Sequence, residues 1–142
     1  MFSRPLSLAA ALAFVLMPAW ADDAASLKPT VTTVIDTTQT IIGQPITYPA
    51  GNAEVTASII TIPPGGETGW HLHAVPLFGY ILEGALTVDY GDKGTHTYST
   101  GEGLLEAINW PHNGMNRGTV PVRLLAVYAG AKGVPDAEAV AH

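Results

Sequence analysis

Two histidines stand two residues apart in Trp70-His71-Leu72-His73, and a third, His112, follows Trp110-Pro111 about forty positions later. Residues two apart on a β-strand point to the same side. An extended 70–73 therefore presents two imidazoles side by side. His112, just after a strand-like run and a proline, is the candidate to complete a trident from a neighbouring strand. Neutral imidazole suits zinc, copper, iron and nickel, and three protein ligands leave coordination positions open for chemistry. The competing reading is a pair of exposed strand histidines with no ligand.

The segments that must position these residues read as strands. Thr, Val, Ile and Tyr dominate beyond the first 21 residues, and the chain's 15 Gly and most of its 11 Pro punctuate that stretch at short intervals. That is the pattern of an all-β sandwich or barrel. Strands are expected over 31–35, over 40–48 (weakened by Gly43 and Pro45) and over 54–62. Further strands are expected over 77–82, 85–90, 95–99, 104–108 and 122–128. A proline inside a strand run demotes it toward a sheet edge. Along 54–62, Val55, Ala57, Ile59 and Thr61 share one face and Thr56, Ser58, Ile60 and Ile62 the other. If Leu77 faces inward, Gly79 and Ile81 do so too. Leu86, Val88 and Leu104 complete the expected interior. Residues 131–142 are small and polar, and a frayed tail is expected there.

The 142 residues amount to one domain. Its first 21 read as a secretory signal peptide: Arg4, an apolar run over 6–17, then Pro18 and Ala19-Trp20-Ala21, with cleavage after Ala21. The run is shorter than the roughly 20 residues a membrane anchor needs. Residues 22–30 are a flexible lead-in and 31–130 the folded domain. The expected location is the periplasm or the cell exterior. Without Arg4, 5 basic side chains face 12 acidic ones (5 − 12 = −7). No basic patch offers phosphate contacts to nucleic acid, and an anionic membrane is an equally poor partner after cleavage. With no cysteine, the core alone must hold the domain.

The pattern resembles the cupins, the small double-stranded β-helix (jelly-roll) barrels. Gly65, His71, His73 and Gly84 fall on the positions of the first cupin motif, whose glutamate position carries Leu77. Gly101, His112 and Asn116 fall on the second, with Ala107 at its proline and Asn109 at its glycine. The match spans residues 65–116. The resemblance implies a single-domain, all-β cupin barrel in which His71, His73 and His112 hold one divalent metal ion, with iron, manganese, zinc, nickel and copper all admissible. It also implies a homodimer formed by sheet packing or exchange of N-terminal strands, here through 31–48.

Leu77 cannot coordinate a metal, and the alternation offers Glu106 in its stead. Glu106 shares a face with Leu104, at the position just before the second motif's proline, which the cupin resemblance implies is usually apolar and inward. A glutamate inside a small barrel is costly unless paired, metal-bound or protonated. Glu106 is therefore the candidate catalytic residue, as general base or extra ligand. The competing readings rotate it to solvent or pair it with Arg117 or Arg123.

Trp70 and Trp110 are open to roles in a pocket wall or in packing. His96 is expected at the surface, and Asn116 is expected to tie the turn after His112. No phosphate loop, nucleophile elbow or Ser/His/Asp triad is readable. An apolar interior suits a small organic molecule better than a sugar polymer or a phosphate. The functional expectation is an exported metalloenzyme of oxygenase, lyase or isomerase type. The alternative is a non-catalytic periplasmic protein that binds a small ligand or a metal.

Overall fold

The computed structural model describes residues 29–141. The leader expected over 1–21, residues 22–28 of the lead-in, and His142 lie outside those residues. The strands are β1 (Ala53–Ile62), β2 (His71–Leu72), β3 (Leu77–Glu83), β4 (Ala85–Asp89), β5 (Thr95–Ser99), β6 (Gly103–Leu105), β7 (Asn113–Met115), β8 (Val122–Ala131) and β9 (Glu138–Ala139). A 3₁₀ turn, Gly91–Lys93, joins β4 to β5.

A four-stranded sheet runs β1-β8-β3-β6, a three-stranded sheet runs β5-β4-β7, and β2 pairs with β9. All their ladders are antiparallel. One buried cluster takes Ile62, Ile81, Leu104 and Leu124 from the four-stranded sheet and Leu86, Val88 and Tyr98 from the three-stranded one. The two sheets therefore close on a shared interior, as in a jelly-roll barrel. Each fully buried Leu, Ile or Val there contributes roughly 1.5–3 kcal/mol.

The period-2 pattern predicts the faces well. Leu77, Ile81, Leu86, Val88 and Leu104 are all buried. On β1, Ile62 is buried and Ile60 half-buried, while Val55 and Ile59 of the opposite face are exposed. Two glycines are required by the packing. A Cβ on Gly79 would lie 2.8 Å from the Leu104 side chain, and one on Gly84, at φ 76°, would lie 2.6 Å from the Pro121 carbonyl oxygen.

Several boundaries differ from the expectation, each for a local reason. The segments 31–35 and 40–48 form no strand beyond an isolated bridge between Gln39 and Pro45. Residues 40–44 close a turn instead, with Thr40 N–H donating to the Gln44 carbonyl at 2.8 Å and Gly43 at φ 82°.

The strand expected over 104–108 stops at Leu105. Beyond it, side chains take the backbone donors: the Ala107 N–H goes to Glu106 Oε1 at 2.8 Å and the Ile108 N–H to Gln44 Oε1 at 2.9 Å. β7 had no clear hydrophobic signal, being Asn-Gly-Met. The tail expected to fray from 131 does not do so across the described residues. β8 runs through Ala131, and β9 returns to pair with β2.

Candidate metal centre

The trident is set by backbone pairing. His71 and His112 exchange both hydrogen bonds across an antiparallel bridge, His71 N–H to the His112 carbonyl at 3.0 Å and His112 N–H to the His71 carbonyl at 2.9 Å. Directly paired residues project their side chains to the same face. His73, two residues on, shares that face and bridges Ile108 in parallel. The three ring centroids lie 4.5–5.0 Å apart, and one ligand nitrogen from each lies within 4.8 Å of the others.

Each ring is oriented by a backbone carbonyl that takes its Nδ1–H. The acceptors are Gly69 for His71 at 2.8 Å, Trp110 for His112 at 2.8 Å and Asp136 for His73 at 2.7 Å. This fixes the tautomer and leaves every Nε2 lone pair for the shared centre, the arrangement that metal-ligating histidines use. Burial pushes both His73 and His112 down from 6.5 to about 4, so both are neutral at physiological pH. His112 Nε2 is buried with no hydrogen-bond partner among the described residues.

Glu106 points inward and is 5 % exposed. Its Oε1 accepts from the Ala107 N–H, and its Oε2 lies 3.8 Å from His112 Nε2. That approach is too long for a hydrogen bond, and neutral His112 forms no ion pair with it. Burial raises the Glu106 pKa above the ordinary carboxylate range, against the Ala107 N–H and the Tyr90 hydroxyl, which favour the charged form. Three imidazole lone pairs thus converge beside this carboxyl, and His112 Nε2 meets no hydrogen-bond donor among the described residues. A divalent cation fits this donor set, since it would satisfy the orphaned nitrogen and offset a buried carboxylate.

Neither arginine reaches Glu106. Arg123 lies 3.9 Å from Glu83, and Arg117 is exposed against Met115 Sδ. The cavity beside the histidines, about 50 Å³, is lined by Leu77, Leu86, Leu124 and Tyr128 among others, with no lysine or arginine. Trp110 packs against the core and donates to the Tyr90 carbonyl at 2.9 Å. His96 is exposed. Asn116 ties its turn as expected, donating to the Ile62 and Val120 carbonyls and accepting from Gly118 N–H.

Sequence reasoning missed three supports. Gln44 clamps both backbone groups of Ile108, accepting its N–H and donating from Nε2 to its carbonyl at 2.8 Å. Thr68 Oγ1 accepts the Gly114 N–H at 2.9 Å, tying the approach to His71 onto β7. The Asp136 carbonyl acts through the backbone, so no side-chain motif could have flagged it.

Comparison with known proteins gives a consistent picture. The family profile described as a cupin domain matches residues 58–128. Among solved structures, the polyketide cyclase RemF of Streptomyces resistomycificus is similar with TM-score 0.54 and 22 % identity, over 65 % of this chain and 63 % of that one. A Lactobacillus farciminis oxalate decarboxylase, as its formate complex, aligns with TM-score 0.53 and 22 % identity over 61 % and 26 %. A structure reported for the DMSP lyases RdDddP and RnDddQII aligns with TM-score 0.54 and 20 % identity over 61 % and 44 %. The chain thus spans from about a quarter to under two thirds of these neighbours, and identities this low speak for the fold alone. No curated protein matches the chain significantly.

Proposed function

This chain belongs to the cupin family, and on that footing we propose that it is an exported metalloenzyme acting on a small organic molecule. His71, His73 and His112 hold one divalent ion, and Glu106 handles a proton beside it. The observation that carries this reading is the convergence of three Nδ1-anchored histidines on one point next to an inward glutamate. A divalent ion bound there supplies Lewis-acid polarisation of a substrate oxygen or, for iron or copper, a site for dioxygen.

The chain's own residues do the rest. Glu106 Oε1 is committed to the Ala107 N–H, so Oε2 is the atom that takes or gives the proton. Leu77, Leu86 and Leu124 keep the cavity apolar and exclude water from an organic substrate. The cavity lining carries no cation to select a phosphate or a sulfate. The neighbours' names, a decarboxylase, a lyase and a cyclase, support reaction on this scaffold without choosing among reactions.

A second reading, capture of a small ligand without turnover, is favoured by the apolar lining. Water-proton relaxation of the manganese-loaded protein separates the readings. An enzyme keeps an exchangeable water on the ion and gives enhanced relaxation. A fully enclosed ion with no enhancement contradicts the enzymatic reading, and an unchanged organic molecule released on denaturation supports capture.

A further inference from the structure

Resting on the metal-centre reading above, we propose that segment 132–141 is a working part of the site. It is a strap that positions His73 and His71, and metal affinity depends on it.

The three histidines are not anchored in equivalent ways. His71 and His112 each give their Nδ1–H to the carbonyl two residues earlier in the chain, Gly69 and Trp110. Those acceptors come with the local backbone. His73 instead uses Asp136, 63 positions away in sequence, at 2.7 Å. His73 is 3 % exposed with this segment in place, and the Asp136 carbonyl is the partner that fixes its Nδ1–H. Without the segment nothing holds that tautomer or ring orientation, and any population with the proton on Nε2 cannot bind a metal.

The strap is built to return to this place. Gly133, at φ 85°, reverses the chain after β8, with the Val134 N–H donating to the Ala131 carbonyl at 2.9 Å. Val134 packs against the cluster that contains Leu77. Beyond Asp136, β9 pairs with β2, placing Ala139 opposite His71, and the Val140 N–H donates to the Trp70 carbonyl at 3.1 Å. One short segment therefore anchors one ligand directly and pairs with the strand that carries another.

Three proteins test this: the full chain, a chain ending at Lys132, and Val140→Pro, which removes one hydrogen bond and no core side chain. Zinc affinity is measured by competition with a chromophoric chelator. In the metal-free state, thermal unfolding and the histidine ring ¹H–¹⁵N correlations are recorded.

The truncated chain is expected to remain folded, to lose about 10–100-fold in zinc affinity, and to lose the pure Nδ1–H tautomer of His73 while His112 keeps its own. Val140→Pro is expected to lose about 2–10-fold, the worth of one hydrogen bond. It also decides the matter if the truncated chain fails to fold. Wild-type affinity and an unchanged His73 tautomer in a folded truncated chain, or in Val140→Pro if truncation unfolds the protein, overturn the strap. If the full chain binds no zinc, the metal-centre reading falls, and the metal-free His73 tautomer still decides the strap by itself.

Discussion

The Glu106 N–H donates to the Leu77 carbonyl at 2.9 Å. The position where the cupin motif carries its glutamate and the position where this chain carries one are thus cross-strand neighbours. Both side chains are buried and line the same cavity. The carboxylate this chain carries stands one strand over from that position, with its Oε2 3.8 Å from His112 Nε2. Glu106→Gln is expected to keep about one equivalent of metal, with affinity within about tenfold of the wild type because the three imidazoles remain. Loss of all metal binding in this variant, measured by elemental analysis after dialysis, would assign Glu106 to ligation instead.

The same substitution has the opposite effect on the metal-free protein. A buried carboxylate with a raised pKa costs stability once pH exceeds its folded value, and a neutral amide of the same shape removes that cost while its oxygen still accepts from Ala107 N–H. Glu106→Gln is therefore expected to stabilise the metal-free protein by about 1–3 kcal/mol at pH 8, with the gain shrinking on acidification. Chemical denaturation at pH 8 and pH 5 checks this, and an equal gain at both values contradicts it.

His73 and His112 give a pH dependence of opposite sign. Their folded pKa values, about 4, lie below the unfolded 6.5. The unfolded chain therefore binds protons first as pH falls. Stability from these neutral imidazoles is fully present above about pH 6.5 and is lost as pH drops toward 4, by roughly 3 kcal/mol at most for each. The metal-free protein is expected to lose stability between pH 7 and 4, and His73→Phe to flatten that loss. A wild-type profile that stays flat over this window contradicts the neutral, buried assignment.

Much of the barrel was legible because its strands alternate cleanly. Leu77, Ile81, Leu86, Val88 and Leu104 declare one inward face each, and a one-residue slip would expose them all. The histidines were legible for the same reason, since a two-residue spacing needs only an extended backbone to converge. What escaped is held by interactions that leave no periodic trace. Gln44 sits between Gly43 and Pro45, in a segment that reads as a broken strand. It acts as a two-point clamp on Ile108. Asn109, at the motif's glycine position, is the one non-glycine residue at positive φ among those described, at 51°. A left-handed backbone explains why glycine suits that position and why asparagine can replace it. β9 escaped because Glu138-Ala139 has no strand propensity and is recruited only by its partner.

The Gln44 clamp carries its own expectation. Gln44→Ala leaves both backbone groups of Ile108 without their amide partner, beside the bridge to His73 and the Asn109 N–H bond to the His73 carbonyl at 2.7 Å. A loss of about 2–3 kcal/mol is expected in urea denaturation of the metal-free protein. Gln44→Glu, whose carboxyl offers both an acceptor and an O–H donor when protonated, is expected to lose less than Gln44→Ala at a pH where it is protonated. Equal losses would show that the clamp is not a two-point one.

The central claim is that His71, His73 and His112 form one metal centre, and metal content tests it most directly. The protein expressed from its full-length sequence, purified without a tag, is analysed for bound metal beside His71→Ala and His112→Ala. The account predicts about one equivalent in the wild type and its loss in both variants, with the fold retained by circular dichroism. A wild type that holds no metal even after reloading, or a folded His112→Ala that keeps its full equivalent, contradicts it.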